Sequence, residues 1–221
     1  RGVGGPCGRR RGAAVTAIPF RFSPSAQDTF RDCPRKWWFD KVAKIPRDTD
    51  PTLVWGTTVH YVLENYLRDG TIVKPATYTD GRDTLVVTND HLVRAAASHK
   101  HLPAPGTWDV ELWVPDMQII PGLEVKAKID LYKASKVALG DHKSTKTIRT
   151  SGEWATTPAS LSKNPQGLFY AGALQRAGIL PAGRDVSFFH NQIQRVGAVL
   201  SRRIDTVFPA DRILAAWDAS V

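Results

Sequence analysis

Cysteine is scarce in this chain, whose 221 residues include only Cys7 and Cys33. A tetracysteine iron–sulfur cluster needs four thiolate ligands, so the sequence excludes such a cluster. We expect no disulfide between the two cysteines, because the other features of the chain favour a cytoplasmic protein, in which thiols stay reduced. Cys33 is then a small packing residue.

Long apolar runs are also absent. No stretch approaches the roughly 18 apolar residues of a membrane-spanning helix. No apolar segment follows the arginines near the N-terminus, as it would in a secretory signal. The chain has no Gly-x-x-x-x-Gly-Lys-Ser/Thr loop, which excludes a P-loop helicase motor of its own. We therefore expect no membrane contact and a cytoplasmic location.

Residues 1–14 differ from the rest of the chain because they are rich in glycine and arginine. Two hypotheses account for this leader. It is either an over-extended reading frame whose true start is Val15, or a disordered basic arm that binds nucleic acid. Residues 15–221 fit a single domain with a substantial core.

Basic residues exceed acidic ones, 30 against 21, which gives a formal net charge of +9 and favours a polyanionic partner. Four of the arginines lie in residues 1–14, which leaves 26 basic against 21 acidic, an excess that solubility alone would explain. Arg35 and Lys36 precede three aromatic residues, a pattern that fits phosphate contact with base stacking. The alternative is a buried aromatic group with a solvated basic face. We expect mostly buried tryptophans, with Arg35 and Lys36 available for phosphate.

Two carboxylates and a lysine carry the most chemical information. A hairpin around the apolar run 137–139 would place Asp130 at the end of one strand and Asp141 on the next. Asp141 and Lys143 would share a face of that strand, with His142 on the other. Carboxylates crowded beside an ammonium favour a bound cation, and their hard oxygens suit Mg²⁺ or Mn²⁺. The alternative is a solvated strand end, the commoner setting of an Asp-x-Lys tripeptide.

Two predicted helices carry polar pairs at the i, i+4 spacing of one helix face. The first contains His60 and Glu64, and the second contains Gln166 and Tyr170 behind a first-turn proline. A histidine on a mostly apolar helix is usually a packed core residue. Taken alone, the pattern of the second helix indicates a packed tyrosine and a solvated glutamine.

The remaining periodicity predicts a mixture of helices and strands. Predicted helices are Pro24–Lys44, Leu53–Arg68, Asn89–His101 and Asp211–Ala219. Predicted strands are Trp108–Val114, Leu123–Tyr132, Lys136–His142 and Arg184–Gln194. Residues 70–83 are expected to be turns, and residues 144–162 a mobile loop.

The order of these motifs resembles the RecB-type branch of the PD-(D/E)XK nuclease superfamily. The residues that carry the resemblance are His60, Asp130, Asp141-x-Lys143 and Gln166-x-x-x-Tyr170, preceded by a serine-capped helix at Ser23 and a Cys33-Pro34 element. The resemblance covers about residues 20–195. It implies an α/β fold with a restriction-endonuclease-like core, in which helices flank a mixed central β-sheet.

The resemblance also implies roles for these residues. His60, Asp130, Asp141 and the carbonyl of His142 would bind the metal, while Lys143 would steady the attacking water or the scissile phosphate. Gln166 and Tyr170 would line the nucleic-acid channel. Glu64, one turn beyond His60, and Glu111, on the strand before Asp130, are candidates for side chains that orient the metal ligands. Glu124 is a weaker candidate that would share a strand face with Asp130.

The function implied is metal-dependent hydrolysis of DNA, more readily by an exonuclease than an endonuclease, in recombination, repair or replication. DNA ends, single- or double-stranded, are the expected partner, and a helicase or recombination protein is a further possible one. Two alternatives stay open: a non-cleaving nucleic-acid-binding module, and a subunit of a larger nuclease–helicase complex.

Overall fold

A computed structural model of the protein describes residues 20–46, 50–80, 83–114, 117–120, 123–125, 127–153 and 155–218. The leader at residues 1–14 and the start at Val15 therefore lie outside the described residues. Within the described parts of the chain, no helix combines the length and the apolarity that crossing a bilayer requires.

A five-stranded mixed sheet forms the centre of the fold, with the strand order β10-β9-β8-β7-β4. Its strands are β4 Asp109–Trp113, β7 Lys128–Lys133, β8 Ala138–Thr145, β9 Val186–Gln194 and β10 Ser201–Phe208. The β8 and β9 strands are parallel, and the other neighbours are antiparallel. A parallel pair needs a crossover, which here contains the helix of the Gln166 motif.

Two smaller sheets accompany the central one. A three-stranded sheet has the order β1-β6-β5, and β2 and β3 form a hairpin. The bounds of these strands are β1 Phe20–Phe22, β2 Ala76–Asp80, β3 Asp83–Val87, β5 Met117–Ile120 and β6 Leu123–Val125.

Seven α-helices are present in the described residues: α1 Pro24–Asp32, α2 Pro34–Trp37, α3 Pro51–Asp69, α4 Asn89–Ser98, α5 Pro158–Leu161, α6 Pro165–Arg176 and α7 Ala210–Asp218. A π-helical segment, Trp38–Val42, follows α2. Asp50 caps α3, and Gly70 ends it in the left-handed conformation, with φ of 83°. Asn164 caps α6 by accepting the Gly167 amide at 2.7 Å.

Two hydrophobic cores lie on opposite faces of the central sheet. The adjacent β9 residues Phe188 and Phe189 belong to different clusters, because neighbouring side chains of a strand point to opposite faces. Phe188 packs with residues of α6 and α7, such as Phe169 and Trp217. Phe189 packs with α3, for example with Leu63. The central sheet is therefore held between α3 and α4 on one side and α6 and α7 on the other.

The structure confirms the predicted α/β fold with a mixed central sheet. Some predicted elements were wrong. Residues 70–83, predicted as turns, contain β2 and the first residue of β3, and these two strands pair antiparallel. The predicted helix Asn89–His101 is α-helical only as far as Ser98; its cap is Thr88, whose amide donates to His91 Nδ1 at 3.1 Å. β10 was not predicted because two adjacent arginines near its start, Arg202 and Arg203, interrupt the alternation of apolar and polar residues.

The predicted strand Leu123–Tyr132 is two strands that belong to different sheets. Apolar and polar residues alternate without interruption across the junction, so the period does not reveal the break. Glu124 therefore does not lie on the same strand as Asp130. The prediction that the two side chains share a strand face is wrong.

Candidate metal centre and active site

The site forms where two neighbouring strands stop pairing. The β7–β8 ladder includes the pair Leu131–Gly140, but its register does not continue to Asp130. Instead, the Asp130 carboxylate accepts the backbone N–H of His142 at 2.7 Å. A side chain at position 140 would meet the ring of Phe189, since a Cβ there would lie 2.3 Å from Phe189 Cζ. Glycine at this position lets β8 and β9 pack tightly beside the opening between β7 and β8, where the pairing of these two strands ends.

Helix α3 brings His60 to this opening. A Cβ at Gly56 would lie only 3.0 Å from Ser144 Oγ, so glycine lets the helix approach β8 closely. One turn further on, His60 Nε2 lies 3.0 Å from the His142 carbonyl oxygen, and Nδ1 lies 3.6 Å from Asp130 Oδ2. The imidazole therefore contacts both strands at the end of their ladder.

Glu111 completes the group from the opposite strand. The β4–β7 pairs Val110–Leu131 and Leu112–Ile129 flank Glu111 and place it opposite Asp130. Like charges directly opposite each other destabilise a sheet. Glu111 also has φ of 58°, a left-handed conformation that costs a non-glycine residue about 1–2 kcal/mol. Both costs are expected at a binding site rather than in a purely structural strand.

The three side chains are suited to hold a metal ion. His60, Glu111 and Asp130 each offer a ligand atom, and these atoms lie within 4.8 Å of one another. Two carboxylates with one imidazole fit a divalent cation that prefers oxygen but tolerates nitrogen. The group faces a cavity of about 420 Å³, which Lys128, Lys143 and Ser144 also line. Glu111 pairs with the Lys128 ammonium, which lowers the repulsion between the two carboxylates.

Asp141 lies beside this group but not within it. Its side chain is only 4 % exposed, and Lys143 Nζ lies 3.2 Å from Oδ1 and 3.0 Å from Oδ2. His190 Nε2 lies 3.5 Å from Oδ2. Burial raises the pKa of Asp141, against the opposing effect of the Lys143 ammonium. Its role as a metal ligand stays a prediction.

Lys143 leads into a chain of hydrogen bonds on the α6 side of the sheet. Its Nζ donates to Gln166 Oε1 at 2.7 Å, and Gln166 Nε2 donates to the Tyr170 hydroxyl at 2.7 Å. Gln166 and Tyr170 therefore lie on one face of α6, as predicted. Tyr170 is buried, and burial raises the pKa of its hydroxyl. Within the described residues it contacts Gln166 rather than an open channel, and its predicted contact with nucleic acid stays a prediction.

The remaining predicted residues lie further from the centre. Glu64 lines the cavity and pairs with Arg68, one turn along α3. Arg35 and Lys36 are exposed on α2, and the Arg35 guanidinium lies 5.5 Å from the centre of the Phe39 ring. Neither lines the cavity that holds the metal-ligating group.

Two buried polar residues of β9 were missed by the sequence analysis. His190 packs beside Asp141, and burial lowers the pKa of His190 to about 4, so it is neutral at pH 7. Asn191 Nδ2 lies 3.1 Å from His142 Nδ1, a contact in which the amide is the donor. The available signal was a run of His, Asn and Gln directly after two phenylalanines in an interior strand, where polar groups need partners.

Comparison with known protein families agrees with this geometry. A family model of the PD-(D/E)XK nuclease superfamily matches residues 21–212. No curated protein matches the chain. The matched span includes every residue predicted for the site, from Arg35 to Tyr170.

Proposed function

The chain belongs to the PD-(D/E)XK nuclease superfamily, and on that premise we propose that it is an exonuclease that hydrolyses DNA from its ends. The superfamily indicates a metal-dependent nuclease that acts on nucleic acid. DNA as the substrate, degradation from ends and a place in the RecB-type branch are our inferences, because the His60 motif matches that branch best.

One observation carries the proposal. Three potential metal ligands from α3, β4 and β7 converge at the end of a strand ladder, beside the lysine of an Asp-x-Lys motif. Two carboxylates opposite each other and a strained glutamate are costly in a sheet without a ligand to bind. A cavity that already contains Lys143 gives a phosphate access to the same group.

We assign the cation to His60, Glu111 and Asp130, with the His142 carbonyl beside His60. Asp141 is the further ligand that the RecB-type resemblance implies. When bound, a divalent ion of the Mg²⁺ or Mn²⁺ type would neutralise phosphate charge and lower the pKa of a water. Because the group includes an imidazole, we expect Mn²⁺ to support cleavage at least as well as Mg²⁺.

Lys143 acts on the reacting phosphate. An ammonium has three N–H donors, and Asp141 and Gln166 accept two of those of Lys143. The side chain is 37 % exposed and lines the cavity, so a third donor is available to a phosphate oxygen or the attacking water. Such a donor stabilises the charge that accumulates on the phosphate oxygens during hydrolysis.

The test uses purified protein with Mn²⁺ or Mg²⁺ and end-labelled linear DNA, single- and double-stranded, beside closed circular DNA. The Lys143→Ala variant is the control for a contaminating nuclease. We expect Lys143-dependent loss of linear DNA while circles stay intact. Nicked or linearised circles would replace the exonuclease with an endonuclease. Binding without cleavage in either metal would support a non-cleaving nucleic-acid-binding module instead.

A further inference from the structure

Two basic segments leave the central sheet at the same edge. Strands β8 and β9 are parallel, and their register includes the pair Thr145–Gln194 at the C-terminal end of both. The segments that follow, 146–152 and 195–203, contain five basic residues and no aspartate or glutamate. Four of these basic residues, Lys146, Arg149, Arg195 and Arg202, are called the basic rim below.

The two segments of the basic rim are in direct contact. The Arg195 amide donates to the Thr145 carbonyl at 2.8 Å, and the Val196 amide donates to the Lys146 carbonyl at 3.3 Å. The Arg202 guanidinium donates to the Arg149 carbonyl at 3.2 Å. The two segments that carry these four residues are therefore adjacent at this edge of the sheet.

A buried glutamine ties the backbones of both segments together. Gln194, only 5 % exposed, accepts the Ile148 amide at 2.8 Å through Oε1. Its Nε2 donates to the Val196 carbonyl at 2.8 Å and to the Ala198 carbonyl at 3.1 Å. One side chain thus fixes the segment that carries Lys146 and the turn that follows Arg195.

A buried arginine of α4 also fixes the turn that follows Arg195. The Arg94 side chain is 8 % exposed, and it donates to the carbonyls of Gln194 at 2.8 Å, Gly197 at 3.0 Å and Ala198 at 3.2 Å. Three hydrogen bonds from one buried guanidinium hold the backbone of this turn in place. The basic rim is therefore organised before any ligand binds, which lowers the entropy cost of binding.

The positive charges of the basic rim lack carboxylate partners among the described residues. In the described parts of the chain, no carboxylate forms an ion pair with any of its four side chains, whereas Arg94 pairs with Asp90 and Arg203 with Asp205. Uncompensated positive charge on one edge attracts a polyanion. The evenly repeated phosphates of a nucleic acid are the polyanion on which a nuclease of this superfamily acts.

We propose that the basic rim binds the sugar–phosphate backbone of the substrate strand next to the scissile bond, without reading its sequence. This inference rests on the proposed function, since it takes Lys143 as the position of the cut. Lys146 lies three residues beyond Lys143, which is about 10 Å at 3.3 Å per strand residue. That distance corresponds to about three nucleotides at 3.4 Å each.

The experiment compares two matched double variants of the full chain. Lys146→Ala with Arg149→Ala removes two exposed charges of the basic rim. Lys136→Ala with Arg184→Ala removes an exposed lysine and an exposed arginine just before the opposite ends of the same two strands. Both remove the same charge, so a general loss of positive charge affects them equally. Thermal melting verifies that each variant is folded.

Binding of fluorescent single- and double-stranded DNA is measured by anisotropy in EDTA over a range of KCl concentrations, so that no cleavage occurs. We expect the slope of log K against log[salt] to fall by about two for the Lys146/Arg149 variant, one for each lost phosphate contact. The Lys136/Arg184 variant should keep the slope of the unaltered protein. Equal slopes for the two variants, or an unchanged slope in the first, would overturn the proposal.

Because the binding measurement needs neither metal nor cleavage, it separates this proposal from the proposed function. A protein that binds DNA through the basic rim but never cuts it would disprove the exonuclease and the position of the cut, while the binding of the DNA backbone by the basic rim would remain. A protein that cuts DNA but binds it equally well without Lys146 and Arg149 would disprove the basic rim alone.

Discussion

Asp130 and Asp141 lie on neighbouring strands, yet their surroundings differ. Asp130 faces the cavity with His60 and Glu111, and its side chain is 13 % exposed. Asp141 is 4 % exposed and is held by Lys143, which is itself tied through Gln166 to Tyr170. We call the first group the open half of the site and the second, which comprises Asp141, Lys143, Gln166 and Tyr170, the closed half.

The difference lies in where each group finds its partners. In the open half, like charges and a strained Glu111 remain adjacent, so the group is stabilised when a cation binds. In the closed half, the protein supplies its own hydrogen bonds, so Lys143 is oriented before substrate arrives. Changes in the open half should therefore alter metal affinity, and changes at Lys143, Gln166 or Tyr170 should alter rate or stability.

The largest effect is expected for Asp130→Asn. The amide keeps an oxygen that can accept the His142 N–H, but it removes the negative charge from the open half. The unaltered protein should melt at a higher temperature with Mn²⁺, and the variant should lose most of that shift. Cleavage should fall by more than about 100-fold, beyond the range for residues that only support ligands.

Asp205→Asn is the control, because Asp205 is an exposed aspartate on β10 that does not line the cavity. It should retain the shift with Mn²⁺. A full shift in Asp130→Asn would show that Asp130 is not a ligand and that the two halves do not differ in this way.

Gln166→Leu tests the closed half. The change removes the acceptor that holds Lys143 and the donor to Tyr170 while keeping a similar volume. A small misplacement of a catalytic group can cost about 100-fold in rate, so we expect a 10- to 100-fold loss of cleavage. The Mn²⁺-dependent shift in melting temperature should not change.

Two further variants sharpen the Gln166 result. Gln166→Glu restores an acceptor for Lys143 and should recover much of the rate. Gln175→Leu alters a glutamine on the same helix that bonds to the Arg184 carbonyl instead, and it should cleave normally. If Gln166→Leu cuts as fast as the unaltered protein, Lys143 is positioned by Asp141 alone.

Glu111→Gln separates a metal ligand from a simple partner of Lys128. As a ligand, Glu111 contributes charge to the open half, and its loss should weaken Mn²⁺ binding by about tenfold or more, measured by calorimetry. Glu153→Gln, at an exposed position outside the cavity, is the control. An unchanged affinity for Mn²⁺ would show that Glu111 is not a ligand and would leave only His60 and Asp130 in the open half.

Tyr170→Phe should have the smallest effect. It leaves the Gln166 amide without its hydroxyl acceptor inside the protein, which should lower the free energy of unfolding by about 1 kcal/mol in urea. The loss of rate should be smaller than for Gln166→Leu, because Gln166 keeps its contact with Lys143. Tyr66→Phe is the control, since no hydrogen bond of its hydroxyl occurs among the described residues. A loss of DNA affinity without a loss of stability would return Tyr170 to the substrate channel.

Local spacing anticipated the two residue pairs of the closed half, but not the contact between Lys143 and Gln166 that joins them. Asp141 and Lys143 alternate on one strand, and Gln166 and Tyr170 repeat at helical spacing. Each pair lies within five residues, where the period of a helix or strand determines which side chains share a face. The same periodicity predicted α3, α6 and most strands of the central sheet.

The open half depends on contacts between distant parts of the chain. Glu111 is opposite Asp130 because β4 pairs with β7 in one particular register, and no local pattern specifies that register. Glu124 does not share a strand with Asp130, because the chain changes sheets between β6 and β7.

The sequence by itself therefore determined the order of the motifs and the chemistry of their side chains, since both depend on residue type and short spacing. Which carboxylates meet, and which polar side chains order the edge beside them, followed from strand pairing and helix packing. Those depend on the burial of two cores across the whole chain, a condition that no short window of residues contains.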